Sequence, residues 1–148
     1  MPDSSRSEEE RAKELVRSFF GVLSSGDLDA LKGFFDERSC WAVGTAGEGR
    51  PPRTGPDDIV ENFLRPVREG MFEPAQPKVD PEHVWAEGSW VTVEARGRGQ
   101  LKNGNAYDNR YVFIVEVAGD KIRTIREYMD TAYAGRVSGR PVDQVASS

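Results

Sequence analysis

The stretch NAYDNRYVFIVEVAGDKIRTIREYMDTAYAG, residues 105–135, decides the fold. Two runs rich in β-branched and aromatic residues flank the turn signal AGDK, which reads as an antiparallel hairpin. On the first arm, Tyr107, Asn109, Tyr111, Phe113, Val115 and Val117 share one face by the period of two. Asp108, Arg110, Val112, Ile114 and Glu116 share the other. The first face is the more apolar and is predicted to meet the core, carrying Asn109 with it. On the second arm Glu127 and Asp130 have opposite parity, so at most one of them faces inward unless a bulge intervenes.

Working outward, the same period extends back to Pro77. Strands are predicted at about 78–86, 89–99, 105–118 and 121–132, with EGS, KNGN and AGDK as the turns between antiparallel neighbours. Upstream the period becomes helical. SEEERAKELVRSFFGVLSSGD places Leu15, Val16, Phe19, Phe20 and Leu23 on one face and ends near Gly26. Asp27 is positioned to cap a second helix through Leu28, Leu31, Phe34 and Phe35. CWAV, residues 40–43, reads as a short strand, and GTAGEGRPPRTGP as an irregular loop. DDIVENFLRPVREGM then gives a third helix, with Ile59, Val60, Phe63, Leu64 and Val67 inward and Pro66 set to kink or shorten it. Helices first and strands second imply an α+β domain, three N-terminal helices packed on a curved antiparallel sheet. The expected domain spans residues 7–133, with a disordered N-terminus over 1–6 and a C-terminal tail over 134–148.

At 148 residues the chain fits one domain with one core. A net charge of -5 disfavours a phosphate backbone, so no nucleic-acid partner is expected. The one cysteine, Cys40, allows neither an internal disulfide nor a cysteine-based zinc site, and the one histidine, His83, allows no multi-histidine cluster. MPDSSRSEEE lacks the apolar segment of a signal peptide, and no apolar run is long enough to span a bilayer. A cytoplasmic protein without a membrane partner is the expectation. GRGQLKNG lacks the Lys-Ser/Thr ending of a phosphate loop and reads as a hairpin turn.

The order of these elements, with FFGVLSSGDLDALKGFFDE, CWAV, KNGNAYDNRYVF and GDKIRTIREYMDT, resembles the nuclear transport factor 2-like superfamily over about residues 12–133. The likeness is to its SnoaL-like and ketosteroid-isomerase-like branch. The resemblance implies a cone-shaped fold, three helices closing a curved sheet over an interior pocket, and a homodimer. It also implies chemistry without metal or organic cofactor, in a superfamily of isomerases, dehydratases, cyclases, epoxide hydrolases and proteins that only bind. Counting from the shared Gly-Asp, Phe19 and Val43 stand where ketosteroid isomerases carry a tyrosine and an aspartate base, so that mechanism is not implied. Against limonene-epoxide hydrolases, Asp130 falls at the last-strand aspartate. Glu94 and Arg96 fall at that family's arginine and aspartate, with the charges exchanged, and Trp41 and Val43 replace its water-holding pair.

Asp130, Arg96 and Glu94 are accordingly the expected catalytic residues, with Asp130 as acid or base and the other two tuning it. The alternation in VTVEARGRG also allows Glu94 and Arg96 to lie outside, with Val91, Val93 and Ala95 inside. Tyr107, Asn109, Tyr111, Trp41 and Phe19 are the expected substrate-binding residues. A buried Asn109 serves either a ligand or a structural network. The expected ligand is a small, mostly apolar or oxygenated organic molecule. Two readings stay open: an enzyme moving a proton on a carbonyl, enol or epoxide, and a dimeric protein that binds such a molecule without turnover.

Overall fold

A computed structural model describes residues 4–44 and 51–139, with side chains from residue 7 onward; most of the Gly/Pro-rich loop lies outside these ranges. Helix α1 (Ser4–Ser25) buries Val16, Phe19, Phe20 and Leu23, the stripe set by the spacing of its apolar residues. Asp27 caps α2 (Leu28–Leu31) by accepting from the Ala30 amide at 3.1 Å, and a 3₁₀ turn (Lys32–Phe34) continues it. Strands β1 (Cys40–Val43) and β2 (Arg53–Thr54) follow.

The third helix comprises α3 (Pro56–Ile59), a π-helical segment (Val60–Leu64) and α4 (Arg65–Met71). Pro66 has no amide proton to continue the ladder, and the i to i−5 turn that ends at Arg65, whose amide donates to the Val60 carbonyl, absorbs the irregularity just before it. The helix therefore continues through Pro66 and presents Phe63, Leu64, Val67, Arg68 and Met71 to the sheet side.

Strands β3 (Lys78–Glu87), β4 (Trp90–Gln100), β5 (Ala106–Ala118) and β6 (Lys121–Met129) form the predicted meander. Gly119, at φ +64°, makes the turn between the last two. The sheet order is β2-β1-β6-β5-β4-β3, curved and unclosed. One neighbour relation departs from an all-antiparallel sheet: β1 runs parallel to β6, because the third helix and β3–β5 separate them in the chain. Two register shifts bend the sheet, one at Pro81/His83 in β3 and one where Glu116/Val117 of β5 meet β6. The face of β5 from Tyr107 to Val117 is the buried one, and Val91, Val93 and Ala95 of β4 extend it.

Helical backbone continues past the expected limit at 133. Helix α5 (Thr131–Ser138) packs Ala134 and Gly135 inward. Asn103 and Asn105 side chains both donate to its Val137 carbonyl, at 3.0 and 2.8 Å. Helical backbone likewise begins at Ser4, within the segment expected to be disordered.

Candidate functional site

Between the third helix and the concave side of the sheet lies a cavity of about 70 Å³. Its lining is mostly apolar, with Trp41, Phe63, Val67, Phe72 and Phe113 prominent. Among the described residues, the charged side chains that reach it are Glu127 and Arg68, and the hydroxyls are Tyr107 and Tyr111.

The bulge in β6 places Glu127. Ile122 pairs with Val117 and Thr124 with Glu116, leaving Arg123 as the extra residue. Inward parity therefore changes from Ile122 to Ile125, and Glu127 follows Ile125 onto the concave face. Its neighbours in register are Phe113 on β5 and Val43 on β1, so apolar side chains flank the carboxyl on both sides. Glu127 is 7% exposed. Burial pushes its pKa from 4.5 up to about 7, opposed by the hydrogen bond that Trp41 Nε1 donates to Oε1 at 2.9 Å. An aromatic cage holds that indole: Phe19, Phe63 and Phe113 rings lie 5.9, 5.6 and 6.3 Å from it.

The tyrosines sit on the same concave face. Tyr107 and Tyr111 hydroxyls share a hydrogen bond of 2.5 Å. Asn109 Nδ2 donates to the Tyr107 hydroxyl at 3.0 Å and to the Asp130 carbonyl at 3.1 Å, while its Oδ1 accepts from the Arg110 amide. Gly97 makes room for Tyr111: a Cβ there would come within 2.7 Å of the ring. Burial drives the Tyr111 pKa well above the phenol value and that of Tyr107 up to about 12, so both remain O–H donors at neutral pH.

Arg68 enters from α4, 7% exposed, and its Nη2 donates to the carbonyls of Leu23 at 3.0 Å and Pro77 at 2.8 Å. Burial lowers its pKa to about 10, which leaves it charged at neutral pH.

The structure brings Trp41, Tyr107 and Tyr111 together around this cavity and places the other expected site residues elsewhere. Asp130 is exposed and caps α5, accepting from the Tyr133 amide at 2.9 Å. It lies outside because β6 ends at Met129 and the chain turns there into a helix that needs an N-cap. Glu94 and Arg96 lie on the convex face of β4, opposite to Val93 and Ala95, as the simple alternation allowed. Arg96 makes a bidentate pair with Asp108 at 2.8 and 2.9 Å, so no acid–Arg–acid cluster with Asp130 forms. Phe19 is fully buried behind Trp41 and does not reach the cavity. Asn109 spends both amide protons on Tyr107 and the Asp130 carbonyl, which makes it a positioning residue for the tyrosine.

Arg68 and Glu127 stand outside the expected site residues, although the sequence allowed either Glu127 or Asp130 to face inward. Ile122 and Ile125 are three apart in a strand, a spacing that demands a bulge if both are buried, and the bulge turns Glu127 inward. Arg68 falls within the apolar stripe Phe63, Leu64, Val67 and Met71 at helical spacing, and a charge inside such a stripe is the signal. Among the described residues no group of three or more His, Cys, Asp or Glu side chains is placed to hold a metal ion. No described helix is long and apolar enough to cross a membrane.

The sequence matches the SnoaL-like domain over residues 16–125. The chain belongs to that family. No curated protein matches the sequence significantly. Solved structures share the fold at low identity. A ketosteroid isomerase-like protein from Catenulispora acidiphila, solved with trimethylamine, aligns with TM-score 0.73 and 20% identity, over 88% of this chain and 95% of that one. A provisionally assigned SnoaL-like polyketide cyclase from Jannaschia sp. CCS1 aligns with TM-score 0.73 and 19% identity, over 90% and 96%. SalBIII, an epoxide hydrolase/cyclase-like enzyme of pyran ring formation in salinomycin, aligns with TM-score 0.68 and 21% identity, over 85% and 95%. The nuclear transport factor 2-like architecture expected from the sequence is thus the one observed, and this SnoaL-like chain shares its fold with proteins of several named activities.

Proposed function

We propose that this SnoaL-like protein is a cofactor-free enzyme that moves a proton on a small, mostly apolar oxygenated compound, with Glu127 as the acid–base group. One observation carries the reading: a carboxyl at the wall of an apolar cavity, held by burial at a proton affinity near neutral, where it can both take and return a proton. In its ionised form Glu127 would abstract a proton from carbon beside a carbonyl. The C–H electron pair would form the new C=C bond, and the carbonyl π pair would move onto oxygen. The tyrosine pair has two hydroxyl protons and spends one on its own hydrogen bond, which leaves the other for that oxygen. Where a second C=C is conjugated with the enolate, return of the proton from Glu127 to its far carbon shifts the double bonds and gives isomerisation; return to the same carbon gives exchange.

A second reading is a protein that binds such a compound without turnover, and it is favoured by Phe19 and Val43 standing where ketosteroid isomerases carry their catalytic tyrosine and aspartate. Deuterium incorporation separates the two. Small ketones and β-dicarbonyl compounds are incubated with protein in D₂O, and loss of the proton signal at the activated carbon is followed by NMR. Wild-type protein should accelerate exchange and Glu127→Gln should not. Thermal stabilisation by the compounds without any exchange would assign the binding role instead. The reading carries with it the homodimer that the family resemblance implies, which light scattering of the purified protein decides.

A further inference from the structure

Arg68 is a buried cation that meets no counter-ion among the described residues. Its guanidinium has five N–H donors, and Nη2 reaches only carbonyl oxygens, those of Leu23 and Pro77. Among the described residues no carboxylate hydrogen-bonds to it; burial lowers its pKa, and Tyr111 is the ionisable neighbour that opposes this. Glu127 lines the same cavity without pairing with it. Carbonyl dipoles, and the position of Arg68 in the last turn of α4, compensate part of the charge. A full charge taken out of water normally finds an opposite charge, because an uncompensated buried ion is strongly destabilising. Around Arg68 the cavity wall offers Leu64, Val67, Met71 and Phe72, none of which supplies one.

We infer that the cavity takes a small monocarboxylate, whose carboxylate pairs with Arg68 while its short hydrocarbon body packs against the apolar wall. A carboxylate matches the planar fork of a guanidinium. A phosphate, with about twice the charge and three acceptor oxygens, would need more donors than one partly engaged guanidinium offers. A cavity of about 70 Å³ restricts the body to a few carbon atoms. The inference names the substrate class of the acid–base site and in that sense rests on that reading. A short oxo acid would put its carboxylate at Arg68, its carbonyl at the tyrosine pair and its activated C–H toward Glu127.

The test is binding alone, so it is independent of turnover. Isobutyrate and its neutral isostere isobutyramide are titrated into the full chain and their Kd values measured by NMR. Wild-type protein should prefer the anion by roughly ten- to hundredfold. Arg68→Met should lose that preference while still binding the amide. Equal binding of the pair by wild type, binding of neither, or a preference that survives in Arg68→Met overturns the inference; a purely structural Arg68, tying α1 to the turn before β3, predicts the first of these. If Arg68→Met fails to fold, as judged by circular dichroism, the wild-type comparison decides. Anion preference without deuterium exchange would sink the catalytic reading and leave this one standing; exchange of neutral ketones without anion preference would do the reverse.

Discussion

Replacing Glu127 by Gln should change how stability depends on pH, and the direction follows from burial. Glu127 has a pKa of about 7 in the folded chain and an ordinary 4.5 when exposed. Between these values the native state binds more protons than the unfolded state, so stability falls as pH rises across that window. Below pH 4.5 the carboxyl is neutral in both states and imposes no penalty; above 7 the penalty is complete. The difference of two and a half units corresponds to roughly 3 kcal/mol. Gln keeps a carbonyl oxygen for the Trp41 indole and cannot ionise. Relative to wild type it should therefore gain roughly 3 kcal/mol between pH 4.5 and 8, or about 2–4 °C in Tm per kcal/mol. The carboxylates held down by hydrogen bonds and cations, Asp36, Asp58, Glu61 and Asp108, titrate below this window and are common to both proteins. Urea unfolding followed by circular dichroism at several pH values measures the difference directly. Two curves that stay parallel from pH 4.5 to 8 would refute the claim that Glu127 is buried at a raised proton affinity.

Further substitutions test the neighbours. Trp41→Phe removes the donor that opposes burial, so the pH at which deuterium exchange switches on should move upward; a downward move or none would show that the indole does not act on the carboxyl. Replacing Tyr107 and Tyr111 together by Phe removes both hydroxyl protons of the shared pair and should slow exchange by roughly a hundredfold in protein that circular dichroism shows to be folded. Asp130→Ala should cost about 1 kcal/mol through the lost cap of α5 and leave the exchange rate unchanged, whereas loss of exchange would return the catalytic role to Asp130.

The fold was legible because its signals are local and repeated. Apolar spacing of three and four marks the helices, alternation marks β3 to β6, and turn residues separate the strands. Pairings between distant segments leave no such trace. The parallel contact of β1 with β6 joins Trp41 to Ile125 across more than half of the chain, and nothing in CWAV specifies its partner or direction. Helix α5 was missed because TAYAGRVS is short and contains glycine; its order comes from a cap at Asp130, from Tyr133 against Tyr107, and from Asn103 and Asn105 on Val137.

The site was legible only as far as alternation held. On β5, which is regular beside β4, the period of two places Tyr107 and Tyr111 on the concave face. On β6 one extra residue reverses the count, and the carboxylate that faces the cavity becomes Glu127 in place of Asp130. The same physics explains why a charged residue could hide among core residues. A carboxyl between Val43 and Phe113, or a guanidinium between Leu64 and Met71, is costly to the fold and contributes nothing to packing that a methionine would not. Such groups make sense where the chain has something to hold or a proton to move. An indole N–H is the partner of the carboxyl and two carbonyls are those of the guanidinium, and the proposed reading gives each of them a ligand as the partner it still lacks.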